Sequence, residues 1–164
     1  MPPKTLVRGI RLSLMLGTLW ITAVMDTAMA EEIPAIFGDV TISKKFSPDP
    51  FIVRGMSGGS VPSSQVAGTK ETRPTGACTG FVDEAPDHTL ELGSKFDYLK
   101  LQVESPADTI MIVKGPGGTW CNDDFDGKNP GIVGEWLRGV YQIWIGSYNQ
   151  GKYIPYTLKI TEVK

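Results

Sequence analysis

From Tyr98 to Glu104 the chain alternates, with Leu99, Leu101 and Val103 on one side and Tyr98, Lys100 and Gln102 on the other. A period of two over that length predicts a strand with one buried and one wet face. Tyr156, Leu158 and Ile160 oppose Thr157, Lys159 and Thr161 in the same way near the C-terminus. Further short apolar runs predict strands at Cys78 to Val82, His88 to Leu92, Thr109 to Lys114 and Val140 to Ser147. Turn residues separate them, the pattern of an all-β sandwich or barrel. No stretch after residue 30 carries the 3.6 period of a sizeable amphipathic helix. The expected fold is an antiparallel β-sandwich, jelly-roll-like, over residues 77–164.

Residues 31–76 read as an irregular N-terminal segment. Ile42 and Phe46 lie near one possible strand and Phe51-Ile-Val-Arg in another. From Gly55 to Gly76 the chain holds five Gly, four Ser and two Pro without helical period, so it reads as a long exposed loop.

Residues 1–30 have the pattern of a signal peptide. Lys4, Arg8 and Arg11 form a basic start, Leu12 to Met25 is largely apolar, and Ala28-Met29-Ala30 suits cleavage before Glu31. Such a leader implies export to the periplasm or beyond the cell. An uncleaved anchor is the alternative, although the run falls short of the ~18 apolar residues that a span needs.

Three of the sixteen Lys and Arg and one of the eighteen Asp and Glu fall in the leader, leaving an acidic remainder. An acidic chain is poorly suited to nucleic acid, whose phosphates attract basic faces. Cys78 and Cys121 are the only cysteines. In an oxidising compartment an even pair is expected to join, and no Cys-x-x-Cys spacing suggests the alternative of a redox-active thiol pair.

The order of motifs from Asp108 onward is distinctive. A strand passes through Gly115-Pro-Gly-Gly into Trp120-Cys-Asn-Asp-Asp-Phe-Asp-Gly, then Gly139-Val-Tyr-Gln-Ile-Trp-Ile-Gly-Ser-Tyr and Tyr156-Thr-Leu-Lys-Ile-Thr follow. That order resembles the bacterial pre-peptidase C-terminal domain, a small β-sandwich of secreted proteins, over roughly Ala77 to Lys164. The resemblance implies a non-catalytic module of the kind appended to secreted hydrolases, where it aids secretion or binds polysaccharide or an extracellular protein. Standing without a hydrolase, it implies binding or a structural role in the cell envelope, including a place in a larger envelope assembly.

Three constellations could carry chemistry. Asn122, Asp124 and Asp126 precede Gly127 at alternating positions, the first half of a calcium-loop pattern, with Asp123 between them. Val133 stands where an EF-hand has its bidentate Glu, and Glu135 lies two residues beyond, so an EF-hand is rejected and a Ca2+ site on a β-loop is the expectation. Some members of the resembling family bind calcium. The competing reading is an Asx-rich turn whose side chains cap backbone N–H groups.

Gly55-Met-Ser-Gly-Gly-Ser resembles the nucleophile segment of trypsin-like serine peptidases over six residues, two of them different, with Ser57 at the nucleophile position. A triad would need His88, the only histidine, and a carboxylate such as Asp87 or Asp97. His88 shares a predicted strand face with Leu90 and Leu92 and also reads as a semi-buried structural histidine.

Aromatic residues supply the third. If Tyr141, Ile143 and Ile145 face the core, Trp144 faces outward, where with Trp120, Tyr148 and Tyr153 it could grip a sugar or peptide. Packing of Trp144 under the N-terminal loop is the alternative, and Phe125 is a further contact candidate.

Overall fold

The computed structural model of the protein describes residues 33–164, and the leader read over residues 1–30 lies outside them. Strands β1 (Asp39–Ile42) and β2 (Phe51–Ser57) come first, followed by the short β3 (Val61–Pro62) and a one-turn helix α1 (Ser63–Ala67). Two-residue strands β4 (Glu71–Thr72), β5 (Gly76–Ala77) and β6 (Phe81–Val82) lead into β7 (His88–Leu92) and β8 (Phe96–Glu104). The remainder comprises β9 (Thr109–Gly115), β10 (Gly118–Asn122), β11 (Gly131–Trp136), β12 (Gly139–Ser147) and β13 (Ile154–Thr161).

These strands make a β-sandwich. One sheet has seven strands, with β12 at its centre: β7, then β1, on one side, β9, then β10, on the other, and β6 and β3 continuing beyond the end of β7. The facing sheet has the order β11-β8-β13-β2. Pairing is antiparallel except where β1 lies parallel to β7.

The alternation read from the sequence sets the core. Leu99, Leu101 and Val103 of β8 and Tyr156, Leu158 and Ile160 of β13 meet Leu90, Met111, Val113, Ile143 and Ile145 of the opposite sheet. Every one of these is at most 3% exposed.

Strand β9 is buried on both faces, because Ile110 and Ile112 point away from this core into a second apolar cluster. There they meet Trp144, Val82, Ala67 and the cysteines. This second cluster corrects the reading of residues 55–76 as an exposed loop for residues 57–67, while residues 68–76 stay largely exposed. The segment crosses from β2 in one sheet to β3 in the other, and α1 then sits as a lid over the outer face of β9 and β12. Gly59 makes the crossing possible: its φ is +130°, and a Cβ there would lie 1.8 Å from the Val82 carbonyl carbon. The run of Gly and Ser that suggested looseness is instead a close backbone approach. The sandwich also draws on β1 and β2, within the stretch read as irregular, because β2 pairs along its whole length with β13.

Cys78 and Cys121 form the expected disulfide, with Cα atoms 5.2 Å apart. It tethers the lid segment to the edge strand β10. Strands β10 and β11 were not anticipated, since Gly118, Gly131 and Gly134 interrupt their apolar alternation.

Candidate functional site

Where β10 and β11, edge strands of opposite sheets, face each other, the core reaches the surface in an aromatic cleft of about 270 Å³. Its position follows from local chemistry. Pro116-Gly117 turns β9 into β10, with Gly117 at φ +97°. Trp120 then pairs with Val113 and faces the core, while Cys121 pairs with Ile112 and faces the lid. At an edge strand the core has no further neighbour, so Trp120 is only partly buried.

Its backing is closely packed. Trp136 of β11 and Tyr141 of β12 are almost fully buried, their rings 5.0 Å apart and 6.2 and 6.4 Å from Trp120. Their polar atoms are spent inside the fold: Trp136 Nε1 donates to the Leu99 carbonyl at 3.0 Å, and Tyr141 Oη donates to that of Leu137 at 2.9 Å. A Cβ at residue 115 would lie 2.2 Å from the Tyr141 ring, so Gly115 lets that ring slide beneath the hairpin. Prolines 74 and 116, Val133 and Leu137 complete an apolar rim, and Leu137 is half exposed.

The expected ligand-binding residues separate. Trp120 lines the cleft. Trp144 does face outward from the central core, but the disulfide and α1 cover that face and leave it 4% exposed. A sequence fixes which side of a sheet a residue takes, not whether another layer covers that side. Tyr148 is 57% exposed and does not line the cleft, and Tyr153 donates to Asp83 at 3.0 Å. Trp136 and Tyr141 were not anticipated as cleft residues. The available signal was the period-two set Ile132, Gly134 and Trp136, obscured by its glycine.

The acidic loop is tied to its surroundings. Asn122 Nδ2 donates to the Thr75 carbonyl at 2.7 Å and its Oδ1 accepts the Gly131 amide at 2.9 Å. Asp123 accepts from Thr79 Oγ1, and Asp126 from Gln102 Nε2. Among the described residues, no group of three or more His, Cys, Asp or Glu side chains is gathered so as to hold a metal ion.

The peptidase residues are engaged with other partners. Ser57 is buried, and its hydroxyl donates to the Ile154 carbonyl at 3.0 Å. His88 Nε2 lies 2.8 Å from Tyr156 Oη, and no hydrogen bond among the described residues joins it to Ser57. Asp97 is exposed between Lys44 and Lys95. Asp87 is buried, its Oδ2 accepting the Ile145 amide at 2.6 Å. Burial pushes its carboxyl up to about 8, against the pull of that amide and with the help of the Asp83 charge. Burial likewise lowers the His88 pKa and raises that of Tyr156.

No family model matches the chain. An uncharacterized protein of Synechococcus elongatus is 28% identical over 104 residues, which are 61% of this chain and 76% of that relative. Among solved structures, the chain is similar to the pre-peptidase C-terminal domain of a collagenase from Bacillus anthracis, the family its motif order resembles. The TM-score is 0.44 and the identity 11%, over 75% of this chain and 94% of that one. A second similar structure is PliG of Aeromonas hydrophila, a periplasmic inhibitor of g-type lysozyme, with a TM-score of 0.37 and 14% identity over 76% and 96%.

Proposed function

We propose that the chain is an exported, non-catalytic binding module of the cell envelope, and that its recognition site is the Trp120 cleft. The observation that carries this reading is a partly exposed tryptophan held against two buried aromatic rings at the open end of the sandwich. A preformed apolar hollow binds without first ordering its own side chains. The leader pattern and the disulfide support export.

The lining favours a polypeptide partner over a sugar. Thr75 and Glu135 are the non-aromatic polar side chains of the cleft, and each is already engaged, Thr75 with Thr72 and Glu135 with Lys95. A sugar ring carries hydroxyls all round and would find few free side-chain partners. An extended peptide asks for less. The Gly131 amide points to Asn122 and away from β8, so by strand alternation the backbone groups of Val133, which lies before the register shift at Gly134–Trp136, also point outward into the cleft wall. They can pair with a peptide backbone while an apolar side chain enters beside Trp120.

Titrating Leu- and Pro-bearing extended peptides, and in parallel chitin and xylan oligosaccharides, while following tryptophan fluorescence tests the reading. Saturable quenching by peptides that disappears in Trp120→Ala is expected. Binding that survives Trp120→Ala, or a response to the saccharides alone, overturns it.

A further inference from the structure

Away from the cleft, three ionisable side chains are shut between the sheets. Asp87 and His88 are each 1% exposed, and Tyr156 of the facing sheet is 3% exposed. Asp87 Oδ1 and His88 Nδ1 have no well-formed hydrogen bond among the described residues, although the Tyr156 hydroxyl and the Gly38 backbone lie close enough to act on Asp87 and His88 respectively. Buried polar atoms in that state carry a desolvation cost that solvent would relieve.

What keeps solvent out is a short segment, Ile33–Gly38, that precedes β1. The Ile36 and Phe37 amides donate to the carbonyls of Pro86 and Asp87, both at 2.8 Å, and the Gly38 carbonyl accepts the Thr89 amide at 3.3 Å. The Phe37 ring lies 6.1 Å from the His88 ring and 6.5 Å from that of Tyr156. A Cβ at Gly55 would come within 2.5 Å of Tyr156 Oη and 2.8 Å of the Phe37 ring, so that glycine lets ring and hydroxyl close together. On its outer side the segment is largely exposed, with little packing to hold it.

We propose that Ile33–Gly38 is a proton-gated strap, which stays closed over Asp87, His88 and Tyr156 while Asp87 and His88 together hold one proton and loosens when that proton leaves. With one proton the pair is neutral overall, whichever residue carries it; without it, a bare carboxylate is sealed in an apolar seam. The Tyr156 hydroxyl eases this in part by offering the carboxylate a hydrogen bond, and the remaining neighbours do not help. Asp83 adds a second negative charge from the β6–β7 connection, and Tyr153, bonded to Asp83, offers no positive charge. No lysine or arginine is among the groups that act on Asp87.

The direction with pH follows. Opening to water returns Asp87 from about 8 toward 3.8 and His88 upward toward 6.5. Between pH 6.5 and about 8, opening therefore releases one proton, and the opening constant rises about tenfold per pH unit, roughly thirtyfold across the window. Below 6.5, His88 takes up a proton on opening as Asp87 gives one up, and the two effects offset. Above about 8 the profile levels, because Asp87 is then ionised in both states.

Amide hydrogen exchange of the purified protein, expressed as protection factors so that intrinsic base catalysis cancels, reads the strap at Ile36, Phe37 and Thr89. Their protection is expected to lie below that of Leu101 and Leu158 at every pH. It should fall about thirtyfold from pH 6.5 to 8 and then level, and it should stay flat across that window in Asp87→Asn. A flat wild-type profile, a fall that persists in Asp87→Asn, or strap protection equal to the core's overturns the proposal. Should Asp87→Asn fail to fold, the carboxyl 13C shift of Asp87 in the wild type decides: a midpoint near pH 8 supports the strap, and one below about 6 overturns it.

Discussion

Asn122 Oδ1 accepts the Gly131 amide at 2.9 Å, and through that bond the last residue of β10 holds the first residue of β11, edge strand to edge strand across the two sheets. Asn122 Nδ2 in turn donates to the Thr75 carbonyl at 2.7 Å and so also fixes the lid segment. Asn122→Ala leaves a backbone donor and acceptor without partners, and a loss of about 1–3 kcal/mol is expected. Asp124→Ala, which removes no hydrogen bond seen among the described residues, should be close to neutral. Urea unfolding of both variants, with EDTA and then with added calcium, checks the contrast. A calcium-dependent gain in wild type that Asp124→Ala loses would instead return the loop to the metal reading.

Trp120 and Trp136 touch the same cleft but should answer differently to truncation. Trp136 is buried with its indole N–H bonded, so Trp136→Ala is expected to cost about 3–5 kcal/mol. Trp120 is only partly buried, and Trp120→Ala should cost less than half as much while abolishing peptide binding. Paired denaturation and binding curves measure both quantities.

The Cys78–Cys121 bond spans 43 positions in sequence. Closing a loop of that length removes chain entropy from the unfolded state worth about 4 kcal/mol. The double variant Cys78→Ser with Cys121→Ser should lose stability of that order, and Trp144 fluorescence should redden first, because its covering layer is the part released. Calorimetry with fluorescence-detected melting tests both statements.

Global stability should also carry the mark of Asp87. Its folded pKa stands above the unfolded value, so its contribution is complete below pH 3.8 and is lost as pH rises to about 8. His88, depressed in the fold, acts in the opposite sense below pH 6.5. The net expectation is a plateau on the acid side of 6.5, then a fall of about 2 kcal/mol up to pH 8, absent in Asp87→Asn. Urea midpoints at half-unit pH steps provide the measurement.

Much of this molecule is legible in its sequence. The strict alternation of β8 and β13 fixed the core residues because a pleated strand has a period of two and one face must be dry. A pair of cysteines behind a stretch that reads as a leader pointed to a disulfide for a chemical reason that needs no coordinates. Alternation also assigned Trp144 to the side away from the main core, and the structure keeps it there.

Only the tertiary structure decided what lies on that side. The Gly/Ser-rich segment gives no periodic signal, yet Gly59 brings its backbone against Val82 and lays a lid over Trp144, a contact between residues far apart in sequence. Sheet order was equally hidden, since alternation gives faces and not neighbours. It is strand order that puts β10 and β11 at facing edges, leaving Trp120 at the mouth of a cleft that Trp136 and Tyr141 support from strands the sequence does not place beside it.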